Sequence, residues 1–124
     1  MSVAELGDGM LMRADGAGDW QIRIRLAASW PARLVGLLGT AQPPAAGHGL
    51  LLAGRGGVHT LGMRYAIDIA YLDAGLCVLA QRPAVPPGRL VRAPAASRAS
   101  LETAPGGLPA ALLGCTLQIA GAAP

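Results

Sequence analysis

The residues of this chain best suited to chemistry are concentrated in one short stretch. His59, Thr60, Arg64 and Asp68 lie close together in the sequence, and Arg33 and Glu102 are candidates to join them. A histidine oriented by a carboxylate can take up and release a proton near neutrality, which is what general acid and base catalysis requires. His59 with Asp68 or Glu102 would supply such a pair. Asp68 is the residue on which readings divide, because it interrupts the apolar series Ala66, Ala70, Leu72 on one side of an apolar run. A carboxylate in that setting needs hydrogen bonds or a cationic partner. The available donors are Arg33, Arg64, His59 and neighbouring main-chain amides. Three uses are open: a structural acceptor that fixes strand register, a polar pocket that binds without reacting, and a catalytic site.

Other reactive side chains offer less. His48 stands between two glycines and reads as a solvated loop residue, and Met63 falls on an apolar face and reads as core. Gly54, Gly56 and Gly57 surround Arg55, but they precede a strand pattern, so no helix N-terminus would face a phosphate. The chain has no GxxxxGK[ST] phosphate loop, no HExxH and no GxSxG, and its histidines are not spaced to complete a metal site. Neither a metal nor a cofactor is expected. Arg82, Arg89, Arg92 and Arg98 follow one another with no acid between Asp73 and Glu102, which is the best case for an anionic or nucleic-acid partner. They lack interleaved aromatics, so a solvated face is the expected reading and nucleic acid is not the expected partner. Cys77 and Cys115 form no CxxC or Cys/His spacing and read as small hydrophobes, reduced and poorly reactive.

The elements that must position these groups are mostly strands. Trp20, Ile22, Ile24 and Leu26 alternate with Gln21, Arg23 and Arg25, a period of two that predicts a strand with one face buried. Ser29 can cap a short helix, with Pro31 in its first turn; Trp30, Leu34, Leu37 and Leu38 share one side, and Gly39 can end it. Residues 49–53 are a short apolar run. Over residues 58–72, Met63, Tyr65, Ile67, Ile69 and Tyr71 share one face of a predicted strand. Asp73, Ala74 and Gly75 turn it into residues 76–80, forming a hairpin. Pro83, Pro86, Pro87 and Gly88 predict an extended connection. Residues 98–103 alternate again, residues 109–113 suit one helical turn stopped by Gly114, and residues 116–120 read as a closing strand. With four glycines and no regular period, residues 1–18 read as a flexible arm before a single domain over 19–121. No βαβ rhythm is present. The expected fold is mostly β: a compact antiparallel, barrel-like single domain with one or two short helices. Ile22, Ile24, Leu37, Ile67, Ile69, Leu101 and Leu117 are its expected core.

Composition agrees with one folded domain. The chain has 124 residues, 52% hydrophobic and 14% charged, far from the composition of disordered chains. With two Trp, two Tyr and no Phe, aliphatic side chains must fill the interior. All ten basic residues are Arg, and a net charge of +3 is a mild excess. The uncharged stretch 34–54 contains Gln42, Pro43, Pro44 and His48, so it does not suit a membrane span. Glu5 and Asp8 stand where a secretory leader would carry positive charge, so a cytoplasmic protein is expected.

Four segments resemble the DUF192 family in residue type and order. They are Arg33-Leu-Val-Gly36-Leu37-Leu38, Val58-His59-Thr60-Leu-Gly62-Met63-Arg64, Ile67-Asp68-Ile69-Ala-Tyr71-Leu72-Asp73 and Ser100-Leu101-Glu102-Thr-Ala104-Pro-Gly106. The resemblance runs from about residue 20 to 119 and is most specific over 59–73. It implies a small β-rich fold, often described as a barrel with short helices, and it brings no established biochemical activity. The family's Arg-x-x-Gly-Leu-Met helix falls on Arg33, Gly36, Leu37 and Leu38, with Leu38 in place of Met. Its proline before the Ile-Asp pair is Ala66 here, its Leu-Glu carboxylate falls on Glu102, and its late Gly-Asp pair is Gly114-Cys115. The leading functional expectation is a small non-catalytic binding or accessory domain, with a polar pocket around His59 and Asp68 and an unidentified small-molecule or protein partner. The alternatives are an enzyme using His59 with Asp68 or Glu102, and weak anion or nucleic-acid binding through Arg82, Arg89, Arg92 and Arg98.

Overall fold

A computed structural model describes residue 3 and residues 6–27 and 41–120. Seven strands form one sheet in the order β6-β5-β8-β3-β2-β1-β9, and two short strands, β4 and β7, pair as a separate ribbon. In chain order they are β1 (Gly9–Arg13), β2 (Gln21–Ala27), β3 (His48–Ala53), β4 (Val58–His59), β5 (Ile67–Leu72), β6 (Val78–Val85), β7 (Leu90–Val91), β8 (Ala99–Thr103) and β9 (Leu117–Ala120). The protein is a single, mostly β domain built on a curled half-barrel sheet.

β2 behaves as its alternation predicts: Ile22 and Ile24 are buried while Gln21, Arg23 and Arg25 are exposed. The central strands differ, because both sides of the sheet are covered. All six residues of β5 and all five of β8 are buried. Cross-strand partners share a face, so register sorts the core into two layers. Leu11, Ile22, Ile24, Leu51, Leu72 and Leu101 pack in one cluster with Leu108, Leu112 and Leu117, while Leu50, Ile67, Ile69 and Tyr71 pack in the other with Val58 and Met63. Six of the seven expected core residues are buried, and Leu37 lies outside the described residues. So does the helix expected from Ser29 to Gly39, including Arg33.

Four features depart from the sequence reading. Residues 58–72, expected as one strand, are divided into β4 and β5, which belong to different sheets. Residues 9–13, part of the stretch expected as a flexible arm, form β1 between β2 and β9, with Leu11 fully buried. Its apolar residues Met10, Leu11 and Met12 are consecutive and show no alternation, so its strand character comes from its two neighbours. β2 and β3 run parallel, whereas the other pairs in the large sheet are antiparallel. Pro83, expected in a connection, lies within β6, an outer strand of the sheet where a missing N–H is tolerated.

The curl brings the two outer strands together at one corner. Cys77 forms an isolated bridge to Thr116; Val78 N–H donates to Cys115 O and Leu117 N–H to Leu76 O, each at 2.9 Å. Beyond that corner β6 and β9 separate, and the segment carrying the 3-10 turn Ala110–Leu112 lies alongside β6.

Candidate functional site

Asp68 is the second residue of β5, opposite Thr103 of β8. On its other side the ladder slips: Ile67 faces Val85 and Ile69 faces Arg82, so Pro83 and Ala84 together oppose Asp68. This is a β-bulge, and it turns Ala84 to φ +49°, a left-handed conformation uncommon outside glycine. The Asp68 side chain supplies what the broken ladder lacks. Its Oδ1 accepts the Ala84 N–H at 2.8 Å, and its Oδ2 accepts the Gly106 N–H at 2.9 Å in the loop after β8. A residue 4% exposed thereby ties the outer strand to a loop that is distant in sequence. Gly107 follows where an added Cβ would press against the Thr103 side chain, so this loop closes tightly over β8.

The two segments held by Asp68 are the walls of a cleft of about 710 Å³. Leu79, Ala80 and Pro83 of β6 face Leu108, Ala110 and Leu113 of the following segment. Gln81 spans the base, donating through Nε2 to Leu108 O at 3.3 Å and Pro109 O at 3.1 Å. Carbonyls only accept, so these bonds fix the amide orientation and leave Gln81 Oε1 buried without a partner. Arg82, exposed, also lines the cleft and donates through Nη1 to Gln81 O at 3.1 Å.

The remaining candidate residues do not assemble around Asp68. Glu102 is opposite Ile69 in β5 and Leu50 in β3, so its side chain emerges on the other face of the sheet. It is 4% exposed, its Oε2 has no hydrogen-bond partner, and burial pushes its carboxyl up from 4.5 to about 7. Thr60 is fully buried and acts as a staple: Oγ1 donates to Pro86 O at 2.7 Å and accepts the Arg89 N–H at 2.9 Å. His59 is exposed on β4, opposite Leu90, beside a shallower groove that Val91 and Arg92 also line. Tyr71 anchors that ribbon, accepting the Val58 N–H at 3.2 Å and donating to Val91 O at 2.9 Å, and desolvation raises its phenol pKa. Arg64 is exposed, and Arg33 lies outside the described residues.

The arginine series is also divided. Arg82 lines the cleft, Arg89 and Arg92 flank β7, and Arg98 turns back to donate to Ala95 O and Ser97 O at 3.3 and 2.9 Å. Cys77 and Cys115 carry free thiols and are half-buried. Among the described residues no three His, Cys, Asp or Glu side chains group as a metal site, and no helix is long and apolar enough to cross a membrane. Sequence reasoning missed Gln81, Ala84 and Gly106. The proline at 83, two residues before Val85 in the strand 78–85, was the one local signal of a bulge there.

The model of the DUF192 family, described as an uncharacterized ACR, matches residues 10–113. The chain belongs to the DUF192 family. Two solved structures share the fold of this DUF192 domain. A candidate transcription regulator from Sinorhizobium meliloti 1021 is 15% identical with a TM-score of 0.76, over 92% of this chain and 95% of that one. A protein of unknown function from Novosphingobium aromaticivorans DSM 12444 is 18% identical with a TM-score of 0.77, over 94% and 88%. No curated protein matches the chain. On this DUF192 fold, the family's Ile-Asp pair opens β5, its Leu-Glu pair lies in β8, and Gly114-Cys115, at φ +81° for the glycine, forms the corner where the outer strands meet.

Proposed function

We propose that this DUF192 domain is a non-catalytic binding domain that takes a small molecule in the cleft between β6 and residues 105–113. The observation that carries the reading is the cleft itself, mostly apolar, about 710 Å³ in volume and braced on both walls by one buried carboxylate. Concave apolar surfaces of this size with a few fixed polar groups are the usual form of small-molecule sites. Asp68 is a positioning residue in this reading, since both of its oxygens are already engaged by main-chain amides.

Catalysis by His59 with Asp68 or Glu102 has less support. The two carboxylates emerge on opposite faces of the sheet, and His59 is exposed on the separate ribbon. A nucleic-acid role, prompted also by the description of the Sinorhizobium protein, has less support because Arg98 is engaged with its own turn. The test is a thermal-shift screen of small fragments against the wild type and Ala110→Trp, which places an indole in the cleft. Fragments that raise Tm of the wild type but not of the variant support the site. A screen without such fragments counts against it.

A further inference from the structure

We infer that the cleft selects an amphipathic anion, a carboxylate on an apolar chain, with the carboxylate paired to Arg82 and the chain lying between Leu79 and Leu108. The inference rests on the cleft being a ligand site and concerns what kind of ligand it takes. Elimination among the polar side chains of the cleft carries it. The Asp68 oxygens are occupied by the amides of Ala84 and Gly106, so a cationic head group finds no open carboxylate there. The Gln81 amide donates to two carbonyls, and its Oε1 is buried, so it offers a neutral ligand no accessible donor. Arg82 remains. One hydrogen bond, from Nη1 to Gln81 O, uses part of its guanidinium, and a guanidinium has five N–H donors in a planar fork that suits a carboxylate.

The other half of the ligand follows from the walls. Leu113 is 58% exposed at the cleft, an unusual position for a large aliphatic side chain in a domain whose other leucines are mostly buried. An apolar chain along Leu113, Ala110 and Leu79 would remove that surface from water. Charge at one end and apolar contact along the rest therefore define one molecule.

Calorimetric titration with octanoate, octanol, octylamine and acetate, below micellar concentrations, tests this on the intact chain. Octanoate should bind at least about tenfold more tightly than octanol, octylamine or acetate, and added salt should weaken octanoate more than octanol. Arg82→Gln should lose that preference, Arg82→Lys should retain part of it, and Ala110→Trp should abolish octanoate binding. Because Arg82 is exposed, circular dichroism and Tm of the Gln variant should match the wild type, separating loss of affinity from loss of fold. Equal binding of octanoate and octanol, or octanoate binding unchanged in Arg82→Gln, overturns the anion inference while leaving the cleft as a site. Failure of octanoate to bind, with fragments still excluded by Ala110→Trp, has the same meaning. Octanoate binding that is insensitive to Ala110→Trp overturns both.

Discussion

Asp68 and Glu102 are neighbours across the sheet in chain topology, yet they are opposite kinds of buried acid. Asp68 has both oxygens satisfied, so its role is read from what its removal leaves behind. Asp68→Ala strands the amides of Ala84 and Gly106, and each buried donor left unpaired costs about 1–3 kcal/mol. Asp68→Asn restores one acceptor but turns an NH2 toward the other amide, so it should recover less than half of the loss. Urea unfolding of the three proteins measures this, and an Asn variant as stable as the wild type would show that only one of the two bonds matters. Glu102 lacks a compensating partner for Oε2, and its titration should be visible in stability. Its carboxyl titrates near 4.5 when unfolded and near 7 when folded. Between those values the folded state holds a proton that the unfolded state has released, so stability falls as pH rises through the window. The contribution is full below 4.5, and about 3 kcal/mol is lost by the time pH has passed 7. Glu102→Gln, neutral at every pH, should flatten the dependence; parallel profiles for the two proteins would assign it to another group.

At the scale of elements, the β4–β7 ribbon depends on a few close approaches. A Cβ on Gly57 would collide with the Val91 carbonyl oxygen, so Gly57→Ala must separate the segments that Tyr71 holds together. Hydrogen exchange should quicken at Val58 and Val91 in that variant while the amides of β8 remain protected. Uniform loss of protection would mean that the ribbon and sheet unfold as one unit. Thr60 closes the same region from the other end, and Thr60→Val leaves the Pro86 carbonyl and the Arg89 amide without their hydroxyl partner. A destabilisation of about 1–3 kcal/mol is expected in chemical denaturation.

The whole molecule is stabilised by a sheet whose central strands β5 and β8 are covered on both faces, which makes its centre the costliest place to remove volume. Leu101 lies in the middle of β8, fully buried, between β3 and β5. Leu101→Ala should cost about 2–5 kcal/mol, read as a shift in the denaturation midpoint at constant slope. A cost below about 0.5 kcal/mol would place Leu101 outside the packed core. Strand alternation also separates the two acids of the candidate cluster: a strand presents successive side chains to opposite faces, so Asp68 and Glu102, offset by one register step, cannot meet.

Much of the local structure was legible in the sequence. The alternation of residues 20–26 has the period of a strand, Asp73 and Gly75 have the chemistry of a hairpin turn, and the Asp73 Oδ1 bonds to the Gly75 and Cys77 amides realise it. The resemblance to the family rested on short segments whose residue types can be read without the fold in view, and the family model matches residues 10–113. Register, by contrast, is a relation between strands far apart in the chain, and neither propensity nor period contains it. Only the tertiary structure decided that β1 is inserted between β2 and β9, that Asp68 meets the amides of Ala84 and Gly106, and that Glu102 faces away from it. The expected need of Asp68 for donors followed from elementary electrostatics; which donors answered was set by a bulge in a partner strand and a loop 38 residues away.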